Sequence, residues 1–232
     1  MADRVEYTME RMLNDLITLE KKEILTRKEV KDILQKRRDY EYRMQSKAVI
    51  DIDFLEAIAY EKELNKKIKR TLKARKDENK IVKISTAEFA VLRRIMMLYD
   101  RLLARYKSRK DIFKRYIKFL INEKAYKKLS SVIATYLATN GEDAEVWRIA
   151  AYVEYEINGN SETARKLFLK ALQTITQDEN LWSYYLKFEL EFMSKIKERK
   201  KILTGTEQKL KFAEDEEIKE ASQENLDFTI PK

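Results

Sequence analysis

Three groupings of side chains in this sequence are close enough to invite chemistry: paired glutamates, a run of lysines and arginines, and arginines clustered around two tyrosines. The glutamate pairs are Glu154 with Glu156 and Glu189 with Glu191, and in a cleft two carboxylates can divide the work of general acid and general base. Residues two apart on a helix point about 200° away from one another, so neither pair converges on one substrate and a solvent-facing or interhelical role is expected. The run KELNKKIKRTLKARK, residues 62–76, holds eight basic side chains and one acidic. Leu64, Ile68 and Leu72 keep one apolar seam, leaving Lys66, Lys67, Lys69, Arg70, Lys73 and Lys76 to fan over the other faces. Such an array neutralises phosphates and releases their counterions, which makes RNA binding salt-dependent and tolerant of sequence. KKIK at 66–69 also fits a nuclear-import signal, and a plain solvated face is the competing reading. No aromatic residue interleaves with these lysines, so base stacking is not indicated.

Other chemistries are removed by composition. Histidine and cysteine are both absent, which excludes disulfides, Cys/His zinc sites, thiol nucleophiles and the commonest general base. The three glycines are isolated at 141, 159 and 205, so no glycine-rich phosphate loop exists. Ser194 and Lys197 match S-x-x-K, but lysine is so frequent here that the match carries no weight. We therefore expect no catalytic residues, no metal, no cofactor and no small-molecule substrate; the chain is not read as an enzyme. No apolar run approaches the ~20 residues of a bilayer span and the N-terminus lacks a signal-peptide layout, so a soluble, intracellular protein is expected.

The elements that must position these groups are helices. One proline in 232 residues, Pro231, and few glycines let helices run long, and the fold class is all-α. Residues 3–19 read as a first helix with Val5, Met9, Met12, Leu13, Leu16 and Leu19 inward. A capping box at Thr26 and Glu29 opens a second over 27–47, whose inward stripe is interrupted by Arg37. Asp51 is expected to cap a third over 54–75, and boxes at Ser85 to Glu88 and Thr176 to Glu179 to open later ones, with a loop at 76–83 between. Asp143, and Asn160 or Ser161, are the expected caps around the Trp147 helix, which Gly159 ends.

These helices repeat. Trp147 and Trp182 open WRIAAYVEYE and WSYYLKFELE, each with Glu at the seventh and ninth following positions; Phe113 opens a similar phrase, and so does Phe54, with Glu61 and Glu63. A second phrase recurs as LYDRLL, VIATYL and LFLKAL, beginning at 98, 132 and 167. Two coupled periods imply a two-helix unit that stacks on its neighbours to bury its apolar face. Phe54, Phe113, Trp147, Ala151, Leu167, Ala171 and Trp182 are the expected structural repeat core. The tetratricopeptide signature wants Leu-Gly and Tyr after the Trp, where this chain has Ala150-Ala151 and Glu154. The pattern resembles instead the half-a-tetratricopeptide (HAT) repeat of RNA-processing proteins, which implies a right-handed α-solenoid of HAT helix pairs preceded by N-terminal helices.

Charge is uneven along the chain. Residues 1–50 carry 12 basic and 10 acidic side chains, 51–140 carry 23 and 11, and 141–232 carry 14 and 19, which suggests one polyanionic partner and one of another kind. The expected organisation is an N-terminal helical segment over 1–50, about three and a half repeats over 51–203, and an acidic, flexible tail over 204–232. The last half-repeat should leave an apolar face at 181–193 to be covered by the tail or a partner.

The block KRRDYEYRM at 36–44, followed by Asp53-Phe54 and Tyr60-Glu61, resembles the N-terminal signature of the U3 small nucleolar RNA-associated protein 6 family, as do Leu129-Ser130-Ser131-Val132 and the run Ala164 to Leu172. The resemblance covers about residues 5–203. It implies a shortened, non-catalytic scaffold of the small-subunit processome in the nucleolus, supporting assembly around pre-ribosomal RNA and U3 snoRNA beside WD-repeat propeller subunits of the B subcomplex. A HAT scaffold of splicing or pre-mRNA 3′-end processing, or a stand-alone RNA-binding module built on 62–76, are the alternatives. Arg37, Arg38, Tyr40, Tyr42 and Arg43 are residue types enriched at interface centres and form the candidate partner-binding block, with packing of Tyr40 on the first repeat as the competing role.

Overall fold

The computed structural model describes the backbone of residues 2–46, 49–77, 89–176 and 178–224, and the side chains of 5–46, 49–74, 89–176 and 178–204. Among the described residues every regular element is helical: α1 (Ala2–Lys21), α2 (Arg27–Gln45), α3 (Asp51–Asp77), α4 (Ala90–Arg105), α5 (Lys110–Asn122), α6 (Tyr126–Thr139), α7 (Ala144–Tyr152), α8 (Ser161–Thr174) and α9 (Glu179–Glu224). A π turn over Val153–Ile157 prolongs α7. Two compact units are present, Met1–Leu129 and Ser130–Lys232. The border expected at residue 50 does not separate them, because α1 and α2 pack together and α2 packs on α3.

Local chemistry sets the helix ends. The Thr26 hydroxyl accepts from the Glu29 backbone N–H at 3.3 Å while the Glu29 carboxylate accepts from the Thr26 N–H at 2.9 Å, the reciprocal box that the sequence spacing predicts. Asp51 does not cap α3: the helix already begins there, Asp53 accepts from the Ile50 N–H at 3.3 Å, and Asp51 pairs with Arg109 at 3.0 Å. Asp143 and Asn160 cap α7 and α8 by accepting from the N–H groups of Glu145 and Thr163. Gly159 sits at φ +67°, the left-handed conformation a side chain would resist, and so ends the preceding helix. The box expected at Thr176 is replaced by Asp178, which accepts from the Asn180 N–H at 2.9 Å. The capping box at Ser85 to Glu88, and the part of the expected loop beyond Asp77, lie outside the described residues.

In the first unit the core is apolar with a charged centre. Val5, Met9, Leu16 and Leu19 of α1, Phe54 and Ile58 of α3, Leu98 and Leu102 of α4, and Phe113 of α5 are all buried; Leu13, expected inward, is exposed. Tyr99 and Tyr116 stack with centroids 4.6 Å apart, tying α4 to α5. Among these apolar groups lie Arg37, Glu41, Glu61 and Arg94, each no more than 5% exposed. Arg37 donates twice to Glu61, at 2.7 and 2.8 Å, and Arg94 donates to Glu61 at 2.8 Å and to Glu41 at 3.2 Å. Arg101 adds bonds of 2.9 and 3.1 Å to Glu41, and the sulfur of Met12 lies 2.9 Å from Arg94 Nη1. Burial lowers the Arg94 pKa, and the carboxylate of Glu61 opposes that shift.

The second unit is built around Trp147, Ala151, Ala164, Phe168, Ala171, Leu181 and Phe188, with Leu167 partly buried against them. The indole N–H of Trp147 donates to the Gly141 carbonyl at 2.7 Å, and the buried alanines let α7 and α8 approach closely. Trp182 departs from the expectation. It is 58% exposed, and the aromatic that enters the core is Phe188, 5.3 Å from Phe168 and 5.0 Å from Tyr155. The stripe of α9 that meets α8 is Leu181, Tyr185, Phe188 and Phe192; Trp182, Leu186 and Leu190 fall on the adjacent stripe and are exposed. The border expected at 203/204 is not an element border, since α9 continues to Glu224.

Two outcomes follow. Glu61→Gln leaves two guanidinium groups short of a buried counter-charge and should cost about 3–5 kcal/mol, read from the midpoint of urea unfolding. Phe188→Ala should cost about 3–5 kcal/mol, whereas Trp182→Ser should stay within about 0.5 kcal/mol by the same measurement, the reverse of what the repeat phrase implies.

Candidate nucleic-acid interface

The basic segment occupies the second half of α3, which at 27 residues is about 40 Å long. Its apolar seam is docked: Leu64 and Ile68 are buried and Leu72 is half-buried, with Asn65 also inside. Docking one seam turns the cations to two different sides. On one side Lys67 reaches the carboxylate of Glu29 on α2, and Arg70 lines a groove that also holds Asp32 and Glu63. On the other side lie Lys62, Lys66 and Lys69, facing Arg115 and Lys118 of α5.

The candidate RNA-binding residues are therefore not equivalent. Lys66 pairs with Glu63 at 2.7 Å, and Lys69 pairs with Glu123 at the end of α5. Arg70 and Lys73 are exposed and have no ion pair among the described residues, while the side chain of Lys76 lies outside them. Exposed pairs of this kind are worth about 0–1 kcal/mol, so a phosphate can compete for the paired lysines. Sequence reasoning missed Lys62, Arg115 and Lys118. Lys62 donates to the Tyr99 hydroxyl at 2.8 Å and lies 5.1 Å from the ring centres of Tyr99 and Phe119. Arg115 and Lys118 stand three apart in FKRYIKFLIN, a spacing that puts both on one face of α5 and could have flagged them.

The candidate partner-binding block is partly dissolved by the structure. Arg37 is buried against Glu61 and cannot meet a partner; its interruption of the apolar stripe marks the charged centre of the core instead. Arg38 pairs with Glu6 at 3.3 Å and Arg43 with Glu56 at 2.9 Å, so both link helices while staying partly exposed. Tyr40 packs on Tyr60 with centroids 5.9 Å apart, under the guanidinium of Arg43 at 4.8 Å. Tyr42 alone of the two tyrosines is exposed.

Of the paired glutamates, Glu156, Glu189 and Glu191 each lie against a cation. Glu189 accepts two bonds from Arg165, at 2.6 and 2.8 Å, and this guanidinium lowers its pKa. Glu156 pairs with Lys195 at 2.6 Å. General-acid work near neutral pH needs a raised carboxylate, and Glu189 is shifted the other way. Two of the three seventh-position glutamates hold an arginine from a neighbouring helix, Glu61 with Arg37 and Arg94 and Glu189 with Arg165, whereas Glu154 has no ion pair among the described residues.

Residues 9–94, the helices that carry the charged core and the start of the basic face, match the family model described as U3 small nucleolar RNA-associated protein 6. Over this stretch the chain is similar to the U3 small nucleolar RNA-associated protein 6 family. It is 30% identical over 207 residues to the U3 small nucleolar RNA-associated protein 6 of Schizosaccharomyces pombe, an alignment covering 88% of this chain and 41% of that protein. The Homo sapiens homolog is 28% identical over 86% of this chain and 33% of its own length, and the Dictyostelium discoideum homolog 24% identical over 94% and 34%. The chain thus spans about a third to two fifths of the length of these relatives. No helix among the described residues is long and apolar enough to cross a membrane.

Glu29 couples the box that starts α2 to Lys67 on α3. The Lys67 ammonium and the Thr26 N–H hold its carboxyl down to about 2, from an ordinary 4.5. A depressed folded-state pKa contributes stability above the unfolded value and loses it as pH falls through the folded one. Urea midpoints should therefore drop between pH 4.5 and about 2, and Glu29→Gln should flatten that limb while leaving a smaller pH dependence from other carboxylates.

Proposed function

We propose that this chain is a non-catalytic scaffold subunit of the small-subunit processome, supporting assembly around pre-ribosomal RNA and U3 snoRNA in maturation of the 18S-type rRNA. The observation that carries this reading is the similarity to proteins named for U3 small nucleolar RNA association, running along 86–94% of the chain. The helix pairs are read as HAT repeats of a right-handed α-solenoid. Support comes from the recurring phrase and from its seventh glutamate, which in the Phe54 and Trp182 phrases holds an arginine of a neighbouring helix. A role in binding rather than turnover agrees with carboxylates that are already spent on such pairs.

In this reading the protein works in the nucleolus. The basic half of α3 faces RNA, and the exposed Tyr42 with the partly exposed Arg38 and Arg43 faces a protein partner, the WD-repeat propeller subunits of the B subcomplex. Purifying the tagged chain from its own cells and sequencing the RNA that co-elutes should enrich U3 snoRNA and pre-ribosomal RNA. Enrichment of spliceosomal RNAs or of 3′-end cleavage factors would replace this reading with its HAT-protein alternatives. Arg38→Ala with Tyr42→Ala should reduce recovery of propeller subunits several-fold while leaving the unfolding midpoint nearly unchanged; unchanged recovery removes the partner surface.

A further inference from the structure

The two sides of α3 differ in net charge in a way that selects one of them. On the α2 side, Lys67 and Arg70 share their groove with Glu29, Asp32 and Glu63, so carboxylates outnumber cations. On the α5 side, Lys62, Lys66, Lys69, Arg115 and Lys118 line a groove whose one lining carboxylate is Glu123, with Glu63 reaching Lys66 at 2.7 Å from the neighbouring flank, so five cations face two carboxylates. Lys62, Lys66 and Lys69 fall at i, i+4 and i+7 on one helix, and Arg115 and Lys118 at i and i+3 on the other, so two cationic rows face each other. Arg115 and Lys118 are exposed and have no ion pair among the described residues. The side-chain amide of exposed Asn122 adds a neutral donor along the same groove.

We propose that this groove between α3 and α5 holds a single RNA strand by its phosphodiester backbone, with Lys62, Lys66, Lys69, Arg115 and Lys118 as the phosphate ligands. The proposal rests on the ribonucleoprotein reading above and narrows it to one surface. The floor explains what is recognised. Tyr99 and Phe119 are buried beneath Lys62, at 1% and 8% exposure, so no ring face is open to a base and contact is to phosphate and ribose. The same floor disfavours an acidic peptide, because the aromatic anchors that peptide interfaces rely on are buried, leaving only half-buried Leu55 and the small exposed Ala59 as apolar contacts. Glu123 limits the field, being held by Lys69 and by a 3.5 Å contact from Asn65.

Fluorescence anisotropy of the full chain with a labelled twelve-nucleotide oligouridylate tests this. Five phosphate contacts predict a slope of log affinity against log salt of about −3.5, roughly a hundredfold weakening from 50 to 200 mM salt. Arg115→Ser with Lys118→Ser should bring the slope to about −2 and weaken binding about tenfold at low salt, whereas Lys67→Ser with Arg70→Ser should change either by little. Glu123→Gln, which adds net positive charge, should tighten binding a few-fold, a gain that misfolding cannot mimic. Equal losses from the two double variants, no gain from Glu123→Gln, or no binding by the unaltered chain overturns the groove. Equal affinity for a twelve-base-pair RNA duplex overturns the single-strand assignment, and displacement of the oligonucleotide by an equimolar decaglutamate peptide overturns the choice of RNA. If the groove fails while the tagged chain still recovers U3 snoRNA from cells, the processome reading stands without it; if that recovery also fails, both fall.

Discussion

Four charged side chains buried at the centre of the first unit determine where its helices sit. Arg37 from α2, Glu41 from α2, Glu61 from α3 and Arg94 from α4 balance one another, and Arg101 reaches in from a partly exposed position on α4. Desolvating such groups is costly, and only good geometry with every hydrogen bond made offsets the cost. A shift of α4 by one turn against α3 would leave Glu61 or Arg94 unpartnered inside apolar packing. An apolar core tolerates sliding, whereas this one accepts a single register, and the stacked pair Tyr99 and Tyr116 carries that register on to α5.

The placement of α3 has a direct consequence for the surface. Once Glu61 points inward, Leu64, Asn65 and Ile68 follow it on the same side of the helix, and the lysines between them are assigned to one flank or the other. Lys67 and Arg70 go to the flank shared with α2, where Glu29 pairs with Lys67 and Asp32 lines the same groove as Arg70. Lys62, Lys66 and Lys69 go to the flank shared with α5, which brings Arg115 and Lys118. A segment that is uniformly basic in sequence becomes asymmetric by docking, and the strong field lies where two helices contribute five cations against the carboxylates of Glu123 and Glu63.

The second unit uses the same device more lightly. Glu189 and Arg165 join α9 to α8 at the partly exposed rim of an aromatic core rather than inside it. The difference follows from packing. α9 meets α8 through Leu181, Tyr185, Phe188 and Phe192, and this contact rotates Trp182 outward although Trp147, at the matching place in the preceding phrase, is buried. Equal spacing in sequence produces equal environments only when each helix has the same neighbours on both sides.

Much was legible because it depends on near neighbours in the chain. The all-helical class, the cap at Thr26 and Glu29, the terminating Gly159 and the apolar seam of Leu64 and Ile68 follow from backbone freedom, local hydrogen bonding and a 3.6-residue period, all properties of a few adjacent residues. Arg37 appeared in sequence only as a break in an apolar stripe, and its acceptor Glu61 lies 24 positions away. Arg115 and Lys118 stand as many as 56 positions from the lysines they face. Local rules determine which residues can be helical and which side of each helix is apolar; which charges are buried, which are quenched and which are left to face a phosphate is decided only when distant helices meet, because Coulomb energy and desolvation depend on distance in space and not along the chain.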